Sequence, residues 1–164
     1  MKIGLISDTH DRLPFIDRAV KKMNEMKVEL VLHAGDYSAP FVTSRFKPLK
    51  AQMIGVFGNN DAEKELLRRK FEDIGIEIRG RFAEIHADKL KIALLHGEEM
   101  ELLNSLLNTG SYDAIVYGHT HQSEVKRKNR VLVINPGEAC GYLSGKATVG
   151  LLDTSTMNVT IIPI

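Results

Sequence analysis

"KIGLISDTH", residues 2–10, decides how the rest of the chain is read. Lys2-Ile3-Gly4-Leu5-Ile6-Ser7 is short and almost wholly apolar, as a strand covered on both faces would be. It stops at Asp8 and His10. Pro14 then opens a helix in its first turn, with Phe15, Ala19, Val20, Met23 and Met26 on or near one face. The same unit recurs downstream: a buried strand at 28–33, a short helical piece around 41–46, and a third strand at 52–57. Asp61 precedes "AEKELLRRKFEDIG", which reads as a helix with acids in its first turn, bases later and Gly75 as its stop. An order β-α-β-α-β-α implies a parallel sheet with helices outside it.

The second half reads differently. Strands near 81–86 and 90–95 meet at Ala87-Asp88-Lys89, a hairpin turn, and a helix around 98–107 leads to a strand ending in Tyr117. Strands then dominate, at 123–128, 130–134, 147–153 and 157–162, with "KN" at 128–129 and "DTST" at 153–156 as turn signals. The pattern predicts an α/β fold of two packed mixed β-sheets flanked by helices, a four-layer αββα sandwich. No repeat, low-complexity tract or linker divides residues 1–164, so a single domain is expected.

Composition narrows the function classes. The formal net charge is +1, with 22 basic against 21 acidic residues, which argues against a chain built to hold nucleic acid by charge alone. The single cysteine, Cys140, cannot form an internal disulfide, and no stretch fits a signal peptide or a membrane span. A cytoplasmic location is the expectation.

The chemistry collects where strands end. "LISDTH" ends in Asp8 and His10, "LVLHAGD" in His33 and Asp36, "IGVFGNND" in Asn59, Asn60 and Asp61, "KIALLHG" in His96, and "IVYGHTH" in His119 and His121. In open α/β sheets, ligands bind outside the carboxyl ends of the strands. Imidazole nitrogens mixed with carboxylate and amide oxygens suit Mn, Fe, Ni, Co or Zn better than an all-oxygen Mg or Ca cage. Asp8, His10, Asp36, Asn59, His96, His119 and His121 are too many for one tetrahedral ion but suffice for two ions sharing a carboxylate.

D-x-H, G-D, G-N-x-D, H-G and G-H-x-H, in this order across residues 8–121, resemble the calcineurin-like metallophosphoesterase superfamily. The length, "NPGE" at 135–138 and the strand-rich tail resemble its small microbial YfcE-like phosphodiesterase branch. The resemblance implies a first metal on Asp8, His10 and His121, a second on Asn59, His96 and His119, and Asp36 bridging both. It implies two divalent transition-metal ions, Mn or Ni before Fe, Co or Zn, with Mg less suited. A bridging water made acidic by both cations would attack phosphorus in a small phosphodiester. Phosphomonoesters, nucleotides and nucleic acid are the alternative substrates, and a protein-binding scaffold that has lost its chemistry is the alternative role. A homo-oligomer is compatible with all of these.

One departure matters. Many members of the superfamily carry histidine after the G-N asparagine, where this chain has Asn60. An amide cannot donate a proton as imidazolium does, and Asn60 is expected to shape its loop or hydrogen-bond the phosphate. Asp61 is read either as the cap of the following helix or as the residue that orients a site group. His33 is expected to be a buried, satisfied histidine, His86 an exposed one, Lys126-Arg127-Lys128-Asn129-Arg130 a solvated hairpin, and Cys140 a small buried residue.

Overall fold

In the computed structural model, which describes residues 1–164, two sheets lie face to face. The first is built on β1 (Lys2–Ile6), β2 (Leu30–His33) and β3 (Gln52–Gly55), all parallel. Their connections are helix α1 (Leu13–Met26) and a 3-10 helix over Pro40–Phe46. Helix α2 (Lys64–Glu72) returns to a two-residue strand β4 (Glu77–Ile78), which extends the sheet beyond β3. The second sheet holds β5 (Phe82–Ala87), β6 (Leu90–Leu95), β7 (Ala114–Val116), β8 (Glu124–Lys128) and β9 (Val131–Asn135), in the order β5-β6-β7-β9-β8. Helix α3 (Met100–Thr109) connects β6 to β7.

The chain then changes sheets. β10 (Thr148–Asp153) and β11 (Asn158–Pro163) return to the first sheet, where β10 pairs antiparallel with β1. The β-α-β order of the first half gives the parallel part of this sheet, and β10 and β11 make it mixed, as the expectation of two mixed sheets requires. The turn signals had located these strands, but sheet membership depends on which long-range partner remains open, and local pattern does not carry that. β4 escaped the sequence reading because two residues leave no period to detect.

Alternation along the strands builds the layers. In β1, Ile3 and Leu5 enter a dry core between the sheets, whereas Ile6 faces the helices. Gly4 also faces that way, and a side chain there would collide with the sulfur of Met23. Ile92 and Leu94 of β6, Ala114 and Val116 of β7 and Leu132 and Ile134 of β9 complete the inter-sheet core. Their neighbours Ala93, Leu95, Ile115, Val131 and Val133 face Leu103 and Leu107 of α3. Three apolar clusters thus separate four layers. No helix is long and apolar enough to cross a membrane.

Boundaries moved most at α2. The helix starts at Lys64, after Glu63 in a left-handed conformation, and no side chain caps it. Asp61 is therefore not its cap, because its carboxylate is committed elsewhere. The basic run forms the exposed outer edge strand β8 and its turn at Asn129, as expected for a solvated hairpin.

Candidate metal centre

β1, β2 and β3 run parallel in one sheet and β6, β7 and β9 in the other, and the loops leaving them meet along one seam between the sheets. Asp8 follows β1 and is fully buried. Its Oδ1 lies 3.5 Å from His121 Nε2 and 4.0 Å from His96 Nε2, and its Oδ2 accepts from the His119 amide at 3.2 Å. Asp36 is almost wholly buried, and its Oδ2 lies 3.7 Å from His10 Nε2 and 3.4 Å from His96 Nε2. His119 Nδ1 and Asn59 Oδ1 meet at 3.0 Å, and the His119 and His96 rings stand 5.2 Å apart. The seven residues singled out as metal ligands converge, from positions 8 to 121 of the chain.

The backbone bends sharply to achieve this. Asp8 (φ 51°), His10 (44°), Asp36 (62°), His119 (65°) and His121 (59°) all occupy the left-handed region. Side chains there cost of order 1–3 kcal/mol each, and such residues cluster at functional sites. Gly118 permits the closest approach, since a side chain there would strike the Ser7 hydroxyl and the Asp8 carboxylate.

Hydrogen bonds aim the imidazoles. The Nδ1–H of His96 donates to the Ala34 carbonyl at 2.8 Å, which leaves Nε2 facing Asp36 and Asp8. His121 donates from Nδ1 to Glu138 Oε2 at 2.6 Å, which likewise turns Nε2 towards Asp8. His10 Nδ1 pairs with Ser38 Oγ at 3.0 Å, leaving its Nε2 towards Asp36. Fixing one ring nitrogen so that the other can ligate is the usual outer arrangement of histidine metal sites.

The charges are compressed. Burial pushes the Asp8 carboxyl up, against the pull of His96. Burial acts on Asp36 in the same direction but is outweighed by His96 and by two bonds from Asn60, which hold Asp36 well below the ordinary carboxylate range. Burial would lower His96, yet the Asp36 and Asp8 carboxylates drive it up to about 9. Two buried atoms, His96 Nε2 and Asp8 Oδ1, have no hydrogen-bond partner although they face each other. Unpaired buried polar atoms are rare, and bound cations would satisfy them. Asp8, His10 and Asp36 also offer donor atoms within 4.8 Å of one another. The donor set fits divalent transition metals.

Asn60 and Asp61 support this cluster. Asn60 donates from its backbone to Asp36 Oδ1 at 2.9 Å and from its side-chain amide to Oδ2 at 2.8 Å. Asp61 accepts from the backbone amides of Tyr37 at 2.6 Å, Gly58 at 2.7 Å, Ser38 at 2.9 Å and Asp36 at 3.2 Å, which fixes the Asp36 loop against the Asn59 loop. His33 is fully buried; its Nδ1 accepts from the Gly35 amide, so Nε2 carries the proton and donates to Thr9 Oγ1. Burial pushes its pKa far down, so it is a neutral structural residue. His86 is exposed and pairs with Glu84 at 3.0 Å.

The sequence reading missed Glu138. Besides His121, this fully buried carboxylate accepts from the amides of Tyr142, Leu143 and Ser144, the Ser144 hydroxyl and the Cys140 thiol. Burial opposes its charge, but the His121 and Ser144 donors prevail and hold its pKa at about 2. Burial and the neighbouring Glu138 push the Cys140 thiol up to about 12, so it stays protonated.

Comparisons with known proteins agree with this geometry. The profile of the calcineurin-like phosphoesterase superfamily domain matches residues 1–157. The chain is 44% identical over 155 residues to a phosphodiesterase of Methanocaldococcus jannaschii, covering 94% of this chain and 93% of that one. It is 25% identical over 178 residues to the phosphodiesterase YfcE of Escherichia coli, covering 97% and 91%. A solved archaeal phosphodiesterase superposes with a TM-score of 0.96 at 42% identity, over the full length of both chains.

Proposed function

Because the chain belongs to the calcineurin-like phosphoesterase superfamily, we propose that it is a phosphodiesterase working with two divalent metal ions, Mn or Ni, on a small phosphodiester. The phosphodiesterase names of the relatives support the reaction class. The observation that carries the two-ion reading is the place of Asp36. One of its oxygens stands 3.7 Å from His10 and 3.4 Å from His96, between the two groups of nitrogen donors. Asp8, His10 and His121 would hold the first ion, Asn59, His96 and His119 the second, and Asp36 would serve both. Bound there, the ions would acidify water and neutralise phosphate charge.

The chain's own residues then define the reaction. The water, acidified by the ions, would give its proton to solvent and attack phosphorus in line with the departing ester oxygen, whose P–O bond breaks so that it leaves as phenoxide or alkoxide. Asn60 and Asp61 act as positioning residues, the first by hydrogen bonds to Asp36 and the second by fixing the loop amides. No imidazolium stands at position 60, and both nitrogens of His33 are committed. The leaving group therefore departs without a strong acid from the protein, which favours diesters of acidic alcohols or phenols.

The test is a metal titration of chelator-stripped protein, followed by element analysis and by hydrolysis of bis(4-nitrophenyl) phosphate. Activity that rises with Mn or Ni and saturates near two ions per chain is expected. Full turnover with one ion per chain would remove the two-ion reading.

A further inference from the structure

Beside His121 lies a cleft of about 320 Å³, and no apolar side chain lines it. Its walls are Gln122 and Ser123 on one side and Ser144, Lys146 and Thr148 on the other. The volume is at the lower end of the range for small-molecule pockets. Lys146 supplies the only formal charge among these walls besides a histidine, and no carboxylate lines the cleft to neutralise it. The side chains of Gln122, Ser123 and Lys146 are exposed, whereas the Thr148 hydroxyl is committed to the Pro136 carbonyl at 2.7 Å. A cleft without an apolar wall suits neither a nucleobase nor an aryl ring. It suits hydroxyl groups and one anion.

The cleft is also braced. Glu138 lies beneath it, fully buried, and binds both sides at once: His121 Nδ1 at 2.6 Å and the Ser144 hydroxyl at 2.6 Å. The Ser144 hydroxyl in turn accepts from the Lys146 amide at 3.1 Å. The wall that carries the free ammonium is therefore tied to a ligand of the proposed metal centre through a single carboxylate. Sites held by such supporting bonds lose little freedom when they bind.

We propose that this cleft binds the non-reacting arm of the substrate, a pentose bearing a second phosphate, with Lys146 on that phosphate and Gln122 and Ser123 on the sugar hydroxyls. The inference rests on the phosphodiesterase reading, of which it specifies the substrate class. Lys146 determines specificity here, while His121 belongs to the metal centre.

Two diesters with the same leaving group and no base test it: methyl riboside 5′-(4-nitrophenyl phosphate), which keeps free ring hydroxyls, and the same compound with a 3′-phosphate. With Mn-loaded protein, kcat/KM should be about tenfold higher for the 3′-phosphorylated ester, the size expected of one charge-assisted hydrogen bond at a solvent-facing site. Lys146→Ala should abolish that preference, mainly through KM, and Lys146→Arg should restore most of it. A preference equal in wild type and Lys146→Ala overturns the proposal. Independently of turnover, ribose 5-phosphate titrated into the chelator-stripped chain should shift the amide resonances of Gln122, Ser123 and Lys146, and Lys146→Ala should weaken that binding about tenfold. Shifts absent from these residues also overturn it. If neither ester is cleaved, the phosphodiesterase reading falls, and the titration alone decides whether the cleft takes a sugar phosphate.

Discussion

The two sheets contribute opposite chemistry to one seam. The first, through the loops after β1, β2 and β3, supplies both carboxylates and the amide, with His10 as its one imidazole. The second, through the loops after β6 and β7, supplies His96, His119 and His121 and no acid that faces the cluster centre directly. Negative charge comes from one side and nitrogen donors from the other. Neither sheet alone carries all seven converging residues, so the cluster forms only while the dry core between the sheets holds them together. The difference also predicts how each side fails: losing the first removes charge, and losing the second removes orientation.

Asp36→Ala should have the largest effect. It leaves the charge-supplying side without its shared carboxylate, so at least one ion per chain should be lost and turnover should fall by about a thousandfold or more. Circular dichroism should show the fold intact, because the residue sits beyond the strand ends. A variant that keeps both ions and normal turnover would break the comparison at its centre.

Next in size is Glu138→Ala, which acts on the orienting side. Without Glu138, His121 loses its partner at 2.6 Å and the Tyr142–Ser144 amides lose theirs. Loss of such supporting groups typically costs ~10–100-fold in metal affinity. Calorimetric titration of the stripped protein with Mn measures it, and unchanged affinity would mean that the bond to His121 is incidental.

A smaller effect concerns the stripped protein and pH. His96 has a folded-state pKa raised to about 9, above its unfolded value. The stability it contributes is therefore fully present below ~6.5, its unfolded pKa, and is lost as pH rises through about 9. Melting temperature of the metal-free chain should decline across that window, and His96→Ala should flatten the decline. An identical decline in the variant would show that the two sides do not share this charge.

Asn60→His should matter least. Turnover of a nitrophenyl diester should change little, since residue 60 keeps its backbone bond to Asp36 and that phenolate leaves unaided, while alkyl leaving groups should gain a few-fold or more as an imidazolium becomes available. Slopes of log rate against leaving-group pKa, run with metal content checked, compare the two proteins. Parallel slopes would mean that position 60 does not reach the departing oxygen, and that its bond to Asp36 is its whole role.

Reading strand exits from the sequence picked out seven residues that converge in the fold, because apolar runs ending in polar residues are a local signal. The same rule, applied once more, would have found Glu138. It follows β9, which runs parallel to β7, so its exit lies on the same side of the sheet. In the sequence that strand pairs with β8 as a hairpin, and "NPGE" at 135–138 counts only towards the resemblance, with no role for Glu138. Asp61 was left between two roles, since an acid ahead of an amphipathic helix looks like a cap. Only the folded loops show its carboxylate taking four amides from two segments. The migration of β10 and β11 into the first sheet was equally hidden, because pairing with β1 joins residues about 150 positions apart, such as Lys2 with Asp153.

The left-handed backbone at Asp8, His10, Asp36, His119 and His121 has an evolutionary corollary. Glycine would occupy each of these five positions with less steric conflict, so a lineage selected for hardiness alone would drift towards it. The chain that resulted would relax the backbone at each position but give up the carboxylates and imidazoles that converge in the seam. On the two-ion reading proposed above, Asp and His stand there for the groups they carry and not for backbone ease. Glycine at any of these positions would therefore be a marker of lost chemistry in a descendant of this protein.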